Sequence, residues 1–69
     1  MKPAELLRRL NRLATRRGVQ IEVAEGRNHT KVRLGERRTV IGRHPTDLNP
    51  RTFQGILKQL GLTLADLED

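Results

Sequence analysis

Residues 19–41 read V-Q-I-E-V-A-E-G-R-N-H-T-K-V-R-L-G-E-R-R-T-V-I, and this stretch decides the fold. Val19, Ile21 and Val23 alternate with Gln20, Glu22 and Ala24, the period of a half-buried strand. Glu25-Gly26-Arg27-Asn28 carries the glycine and asparagine of a hairpin connection. At His29 a second alternation begins, with Thr30, Val32 and Leu34 on one face and His29, Lys31 and Arg33 on the other. Gly35-Glu36 predicts a tight turn, and Arg37 to Ile41 returns as a third strand ending near Gly42. The reading is a three-stranded antiparallel meander whose inner face carries Val19, Ile21, Val23, Val32, Leu34 and Val40.

Helical periodicity flanks this meander. Over residues 3–17, Leu6, Leu7, Leu10, Leu13 and Ala14 form an apolar stripe, with Pro3 at the first turn and Gly18 as a stop. Arg8, Arg12 and Arg16 recur at four-residue spacing on the outer face, with Arg9 and Arg17 beside them. Such charge rows are commonly solvated helix faces. After a loop over residues 42–48 held by Pro45, Asn49 reads as an N-cap and Pro50 as the first helical position. Phe53, Ile56, Leu57 and Leu60 supply the buried stripe, and Gly61 ends the helix. Thr63 can cap one further short turn, from which Leu64 and Leu67 would fold back on the core. The expected architecture is α+β: a single domain, 1–69, with order α-β-β-β-α, two helices on a three-stranded antiparallel sheet, and a short C-terminal helical turn.

At 69 residues the chain allows one small core. It has no cysteine, so neither disulfides nor thiolate metal sites support it, and its two histidines and eight acids show no metal-ligand spacing. No metal and no cofactor are expected. No apolar run is long enough for a membrane span. Met1-Lys2-Pro3-Ala4-Glu5 lacks the apolar stretch of a signal peptide. A cytoplasmic protein without a membrane partner is the expectation.

Charge narrows the function. Fourteen basic residues face eight acidic ones, for a formal +6. Residues 1–45 hold 12 basic and 4 acidic side chains, and residues 46–69 hold 2 and 4. A basic front half predicts a polyanion partner, most often nucleic acid. Most of the cations are arginines, which suit bidentate phosphate contacts. Phe53 is the one aromatic residue, which argues against modules that stack bases on aromatic platforms.

Histidine is the one side chain that titrates near neutral pH without help, and His29 lies beside Lys31 and Arg33 in the basic half. Without metal or thiolate, RNA cleavage would run by acid–base catalysis of 2′-hydroxyl attack on the adjacent phosphorus. His29 suits the base role, and Lys31 or Arg33 could stabilise charge on the phosphoryl oxygens. DNA lacks the 2′-hydroxyl and would be inert. One histidine supplies one proton-transfer role; His44, Lys31 or solvent could supply the other.

Three pieces of the chain resemble the HicA-type toxins, small mRNA interferases of bacterial toxin–antitoxin modules. They are Gly26-Arg27-Asn28-His29, Ile41-Gly42-Arg43-His44, and Leu48-Asn49-Pro50-Arg51-Thr52-Phe53 running into Ile56-Leu57-Lys58-Gln59-Leu60-Gly61. The resemblance implies a double-stranded-RNA-binding-domain-like fold, metal-independent mRNA cleavage with His29 as the catalytic residue, and a HicB-type antitoxin as partner. Arg27, Lys31, Arg33, Arg43 and His44 are then the candidate RNA phosphate contacts. Asn28 stands where that family usually has serine, and Gly42 where it usually has proline. The alternative function is a non-catalytic RNA-binding module of the same fold. A helix-turn-helix over residues 53–69 is set aside, because its would-be recognition helix carries Asp66, Glu68 and Asp69, which phosphate would repel.

Overall fold

A computed structural model describes residues 1–42 and 46–68. The element order is α1 (Pro3–Arg17), β1 (Ile21–Glu25), β2 (His29–Leu34), β3 (Arg37–Gly42), α2 (Pro50–Leu60) and a final 3-10 turn, Leu64–Leu67. The three strands form one antiparallel sheet in the order β1-β2-β3. The α+β reading and its order of elements therefore hold.

Local signals set the helix ends. Pro3 opens α1, where a missing N–H costs nothing. Gly18 closes it in the left-handed conformation, φ 67°. There the Val19 N–H reaches back to the Ala14 carbonyl at 2.9 Å, and Gly18 donates to Thr15. Gly61 closes α2 in the same way, with Leu62 donating to the Leu57 carbonyl. At the start of α2 the Asn49 side chain accepts the Arg51 N–H at 2.9 Å, and Pro50 follows it.

The core lies between the helices and the inner face of the sheet. Leu6, Leu10 and Leu13 of α1, Val32 and Ile41 of the sheet, and Leu57 of α2 are almost completely removed from solvent. Each such aliphatic side chain stabilises the fold by about 1.5–3 kcal/mol relative to exposure. Thr30 and Thr39 are also buried, and both hydroxyls are satisfied. Thr30 donates to the Glu25 carboxylate at 3.4 Å, and Thr39 donates to the Gln59 side chain of α2.

Several face assignments need correction. Val40 points outward and is 50% exposed, while Thr39 and Ile41 point inward. The register is the reason: Leu34 pairs with Arg37 across a two-residue turn, so Val40 falls opposite Lys31 and Ile41 opposite Thr30. Cross-strand partners share a face, and Lys31 is on the open one. Val19 is no part of β1, because its N–H is spent on the end of α1. Val23 faces inward with Val32, its cross-strand partner, but β1 is an edge strand and leaves Val23 41% exposed. Phe53 is only half-buried against the core. Leu67 folds onto the core as expected, whereas Leu64 remains 49% exposed.

The final turn is tied to α1 over a long sequence separation. Asp66 accepts from the Thr63 backbone at 2.7 Å and pairs with the Arg17 guanidinium at 2.6 Å. Arg16 donates to the Asp66 carbonyl at 2.8 Å. These hydrogen bonds, led by the one from the Thr63 N–H and then that from Arg17, hold the Asp66 carboxyl below its ordinary pKa.

Candidate active site on the open sheet face

β2 builds the site through its alternation. Thr30, Val32 and Leu34 are buried and His29, Lys31 and Arg33 are exposed. Among the described residues no helix covers this second face, and its side chains stand in three rows across the strands. The first row is His29 with Gly42 of β3 on one side. On its other side Gly26 donates its N–H to the His29 carbonyl at 2.7 Å. The second row is Ala24, Lys31 and Val40; the third is Glu22, Arg33 and Arg38.

The rows differ in how their charges are engaged. The His29 and Lys31 side chains make no hydrogen bond or ion pair to another described residue. Arg33 donates from Nε to the Gly35 carbonyl at 3.2 Å and lies 3.9 Å from Glu22 Oε2. Both partners of that ion pair are 60% exposed, so it contributes at most about 1 kcal/mol and leaves Arg33 able to exchange Glu22 for a phosphate. Glu25, the other acid of β1, turns its carboxylate to Thr30 on the inner side.

The β1–β2 connection folds these groups around a concavity of about 310 Å³. Arg27, His29 and Lys31 line it together with the turn from Glu25 to Asn28. A larger concavity, about 720 Å³, shares Ala24 and Lys31 with it and is lined by Arg33, Arg38 and Val40 together with Val32, Thr39 and Gln59 of the inner side. The structure thus brings Arg27, His29 and Lys31 to one hollow and places Arg33 one row further along. Arg43 and His44 lie outside the described residues. The described residues contain no cluster of three or more His, Cys, Asp or Glu that could hold a metal.

Arg38 is the site residue that sequence reasoning passed over. An inward Val40 implies an inward Arg38 two residues before it, whereas the register puts both on the outer face. The signal was present in the Gly35-Glu36 turn, since a two-residue connection makes Leu34 and Arg37 partners and fixes the parity of the whole third strand.

A hollow of this kind combines a group able to accept or donate a proton with cations suited to a phosphodiester's charge. Two curated proteins are similar to the chain that carries it. They are "Probable mRNA interferase HicA" of Escherichia coli O157:H7 and "Probable mRNA interferase toxin HicA" of Escherichia coli (strain K12). Each is 48% identical over 44 residues, covering 62% of this chain and 76% of that protein. The chain belongs to the HicA family. No family model matches it, and no solved structure does. Of the three pieces that carried the HicA resemblance, Gly26 to His29 forms the rim of the hollow and residues 48–61 form α2 with its caps. The remaining HicA piece contributes Ile41 to the core and Gly42 to the row beside His29.

Proposed function

We propose that this HicA-family chain is the toxin of a toxin–antitoxin module and cleaves mRNA without a metal, with His29 as general base. The observation that supports this reading best is the environment of His29. It is an exposed imidazole on the outer sheet face, in one hollow with Arg27 and Lys31. In the reaction, His29 takes the proton of a ribose 2′-hydroxyl. The 2′-oxygen then bonds to the adjacent phosphorus, and the bond to the 5′-oxygen breaks. The products are a 2′,3′-cyclic phosphate and a 5′-hydroxyl, the latter taking its proton from solvent. Lys31 and Arg27 stabilise the charge that builds on the non-bridging oxygens.

Cleavage of RNA in the presence of EDTA, by the wild-type chain and by His29→Ala, tests the assignment. Retained cleavage in EDTA and its loss in the variant are expected. Binding without cleavage by the wild-type chain would instead make this a non-catalytic RNA-binding module.

The partner in this reading is a HicB-type antitoxin whose contact surface is acidic, because it must cover a face carrying Lys31, Arg33 and Arg38. Raising salt should weaken that complex, and an affinity that did not change with salt would count against an acidic contact surface.

A further inference from the structure

The row Glu22–Arg33–Arg38 lies at the end of the open face away from His29, and it carries more positive charge than its own residues neutralise. The ladder fixes how closely its members stand. Gly26 donates to the His29 carbonyl and Gly35 to that of Gln20, so His29, Lys31 and Arg33 turn their backbone groups toward β1. Toward β3, Arg33 and Arg38 therefore form a non-hydrogen-bonded pair, the kind whose Cα atoms approach to about 4.5 Å and whose side chains stand closest. Both are exposed. Like charges directly opposite each other destabilise a sheet, and these two occupy its tightest kind of pair.

Their surroundings offset this only in part. Arg33 Nε donates to the Gly35 carbonyl at 3.2 Å, which anchors the guanidinium while leaving both terminal nitrogens for other partners. Its Nη1 is 3.9 Å from Glu22 Oε2, an ion pair too long for a hydrogen bond. Arg38 is on the far side of Arg33, two strand spacings or about 9.6 Å from Glu22 along the sheet. The Arg38 side chain makes no hydrogen bond or ion pair to another described residue. One weakly held carboxylate thus serves two guanidiniums.

A phosphodiester between the guanidiniums would relieve their repulsion and give each a charge-assisted hydrogen bond. The row shares its face with His29 and stands four residues along β2 from it, about 13 Å, with Lys31 between them. An RNA chain held at His29 and continuing past the cleaved bond would bring a later phosphate there.

We propose that Glu22, Arg33 and Arg38 form a second phosphate subsite for RNA, outside the hollow at His29, in which the Glu22 carboxylate is a resident competitor that a phosphate displaces from Arg33. This rests on the ribonuclease reading above and adds Arg38 and Glu22 to it. Its consequence is a dependence on substrate length. A dinucleoside monophosphate, with its single phosphate in the hollow, does not reach the subsite, whereas a longer strand does.

Binding and cleavage test the subsite separately. Binding is measured on a 2′-fluoro oligonucleotide, which lacks the nucleophile, and cleavage on a dinucleoside monophosphate and on a longer single-stranded RNA. Arg38→Thr should weaken binding by about tenfold, the loss of one charge-assisted hydrogen bond. It should also reduce the slope of log K against log salt by about 0.7. Threonine favours strands and ends the like-charge contact, so the melting temperature should not drop. Cleavage of the longer RNA by this variant should fall, while cleavage of the dinucleoside monophosphate stays at the wild-type rate. Glu22→Gln should tighten binding by about twofold to fivefold, the scale of an exposed ion pair. An unchanged salt slope in folded Arg38→Thr, or an equal loss of cleavage on both substrates, would overturn the subsite. Binding by Glu22→Gln no tighter than wild type would overturn the competitor role. If the wild-type chain cuts no RNA but the binding results hold, the general-base assignment fails and the subsite stands.

Discussion

The arginines of α1 and the cations of β2 carry the same charge to opposite sides of the molecule, and they meet different surroundings. On α1, Arg8 pairs with Glu5 at 3.2 Å, Arg17 with the Asp66 carboxylate, and Arg16 donates to the Asp66 carbonyl. On the open sheet face, His29 and Lys31 have no such partner among the described residues. Arg33 has only an exposed ion pair at 3.9 Å. Arg16 and Arg17 hold the C-terminal turn against α1 and Arg8 is paired within the helix, while the proposed ligand contacts of the sheet are not engaged in this way. A count of basic residues weighs the two surfaces equally; their partners separate them by role.

The strongest test of this division is His29→Ala. Loss of a positioned proton-transfer group should reduce RNA cleavage by roughly 10²–10⁴-fold, with the thermal melting curve unchanged because the side chain is exposed. A parallel loss of stability would mean that the open face also supports the fold. Next in size is a substitution in the core that both surfaces share. Leu10→Ala should cost about 2–5 kcal/mol, comparable to the whole stability of so small a domain. Urea denaturation should show a largely unfolded population, and an intact transition would show that α1 contributes little to the core.

A smaller effect compares the two sets of cations directly. Lys31→Ala should lower RNA affinity and reduce the salt slope by about 0.7, one phosphate contact fewer. Arg8→Ala should leave the slope unchanged. Equal effects of the two in a titration at several salt concentrations would erase the distinction between the surfaces.

The smallest effect concerns the C-terminal turn. The folded-state pKa of Asp66 is depressed below its ordinary value, near 3.8, mainly by the Thr63 N–H and then by Arg17. A depressed carboxylate adds stability that is complete above the unfolded pKa and is lost as pH falls through the folded one. Asp66→Asn should therefore lower the melting temperature slightly at neutral pH and converge with the wild type in strong acid. A difference that grew on acidification would reverse the assignment.

The helices could be read from short-range chemistry alone. Pro3 with Gly18, and Asn49-Pro50 with Gly61, mark ends that depend on neighbouring residues, and the observed helices span Pro3–Arg17 and Pro50–Leu60. The alternation from His29 to Leu34 likewise gave the extent of β2 and the outward direction of His29, Lys31 and Arg33. Reading went wrong where one element's position depends on another's. Val40 is apolar and was put in the core, but its face follows from pairing with β2, and that pairing places Arg38 beside Arg33.

By itself the sequence determined the order of elements, their ends and the two faces of β2, because capping and alternation act within a few residues along the chain. Tertiary structure alone decided which cations are already occupied, since the Arg17–Asp66 pair joins residues 49 apart. It also decided that glycines flank His29 on both sides, because register is a property of strands paired in space.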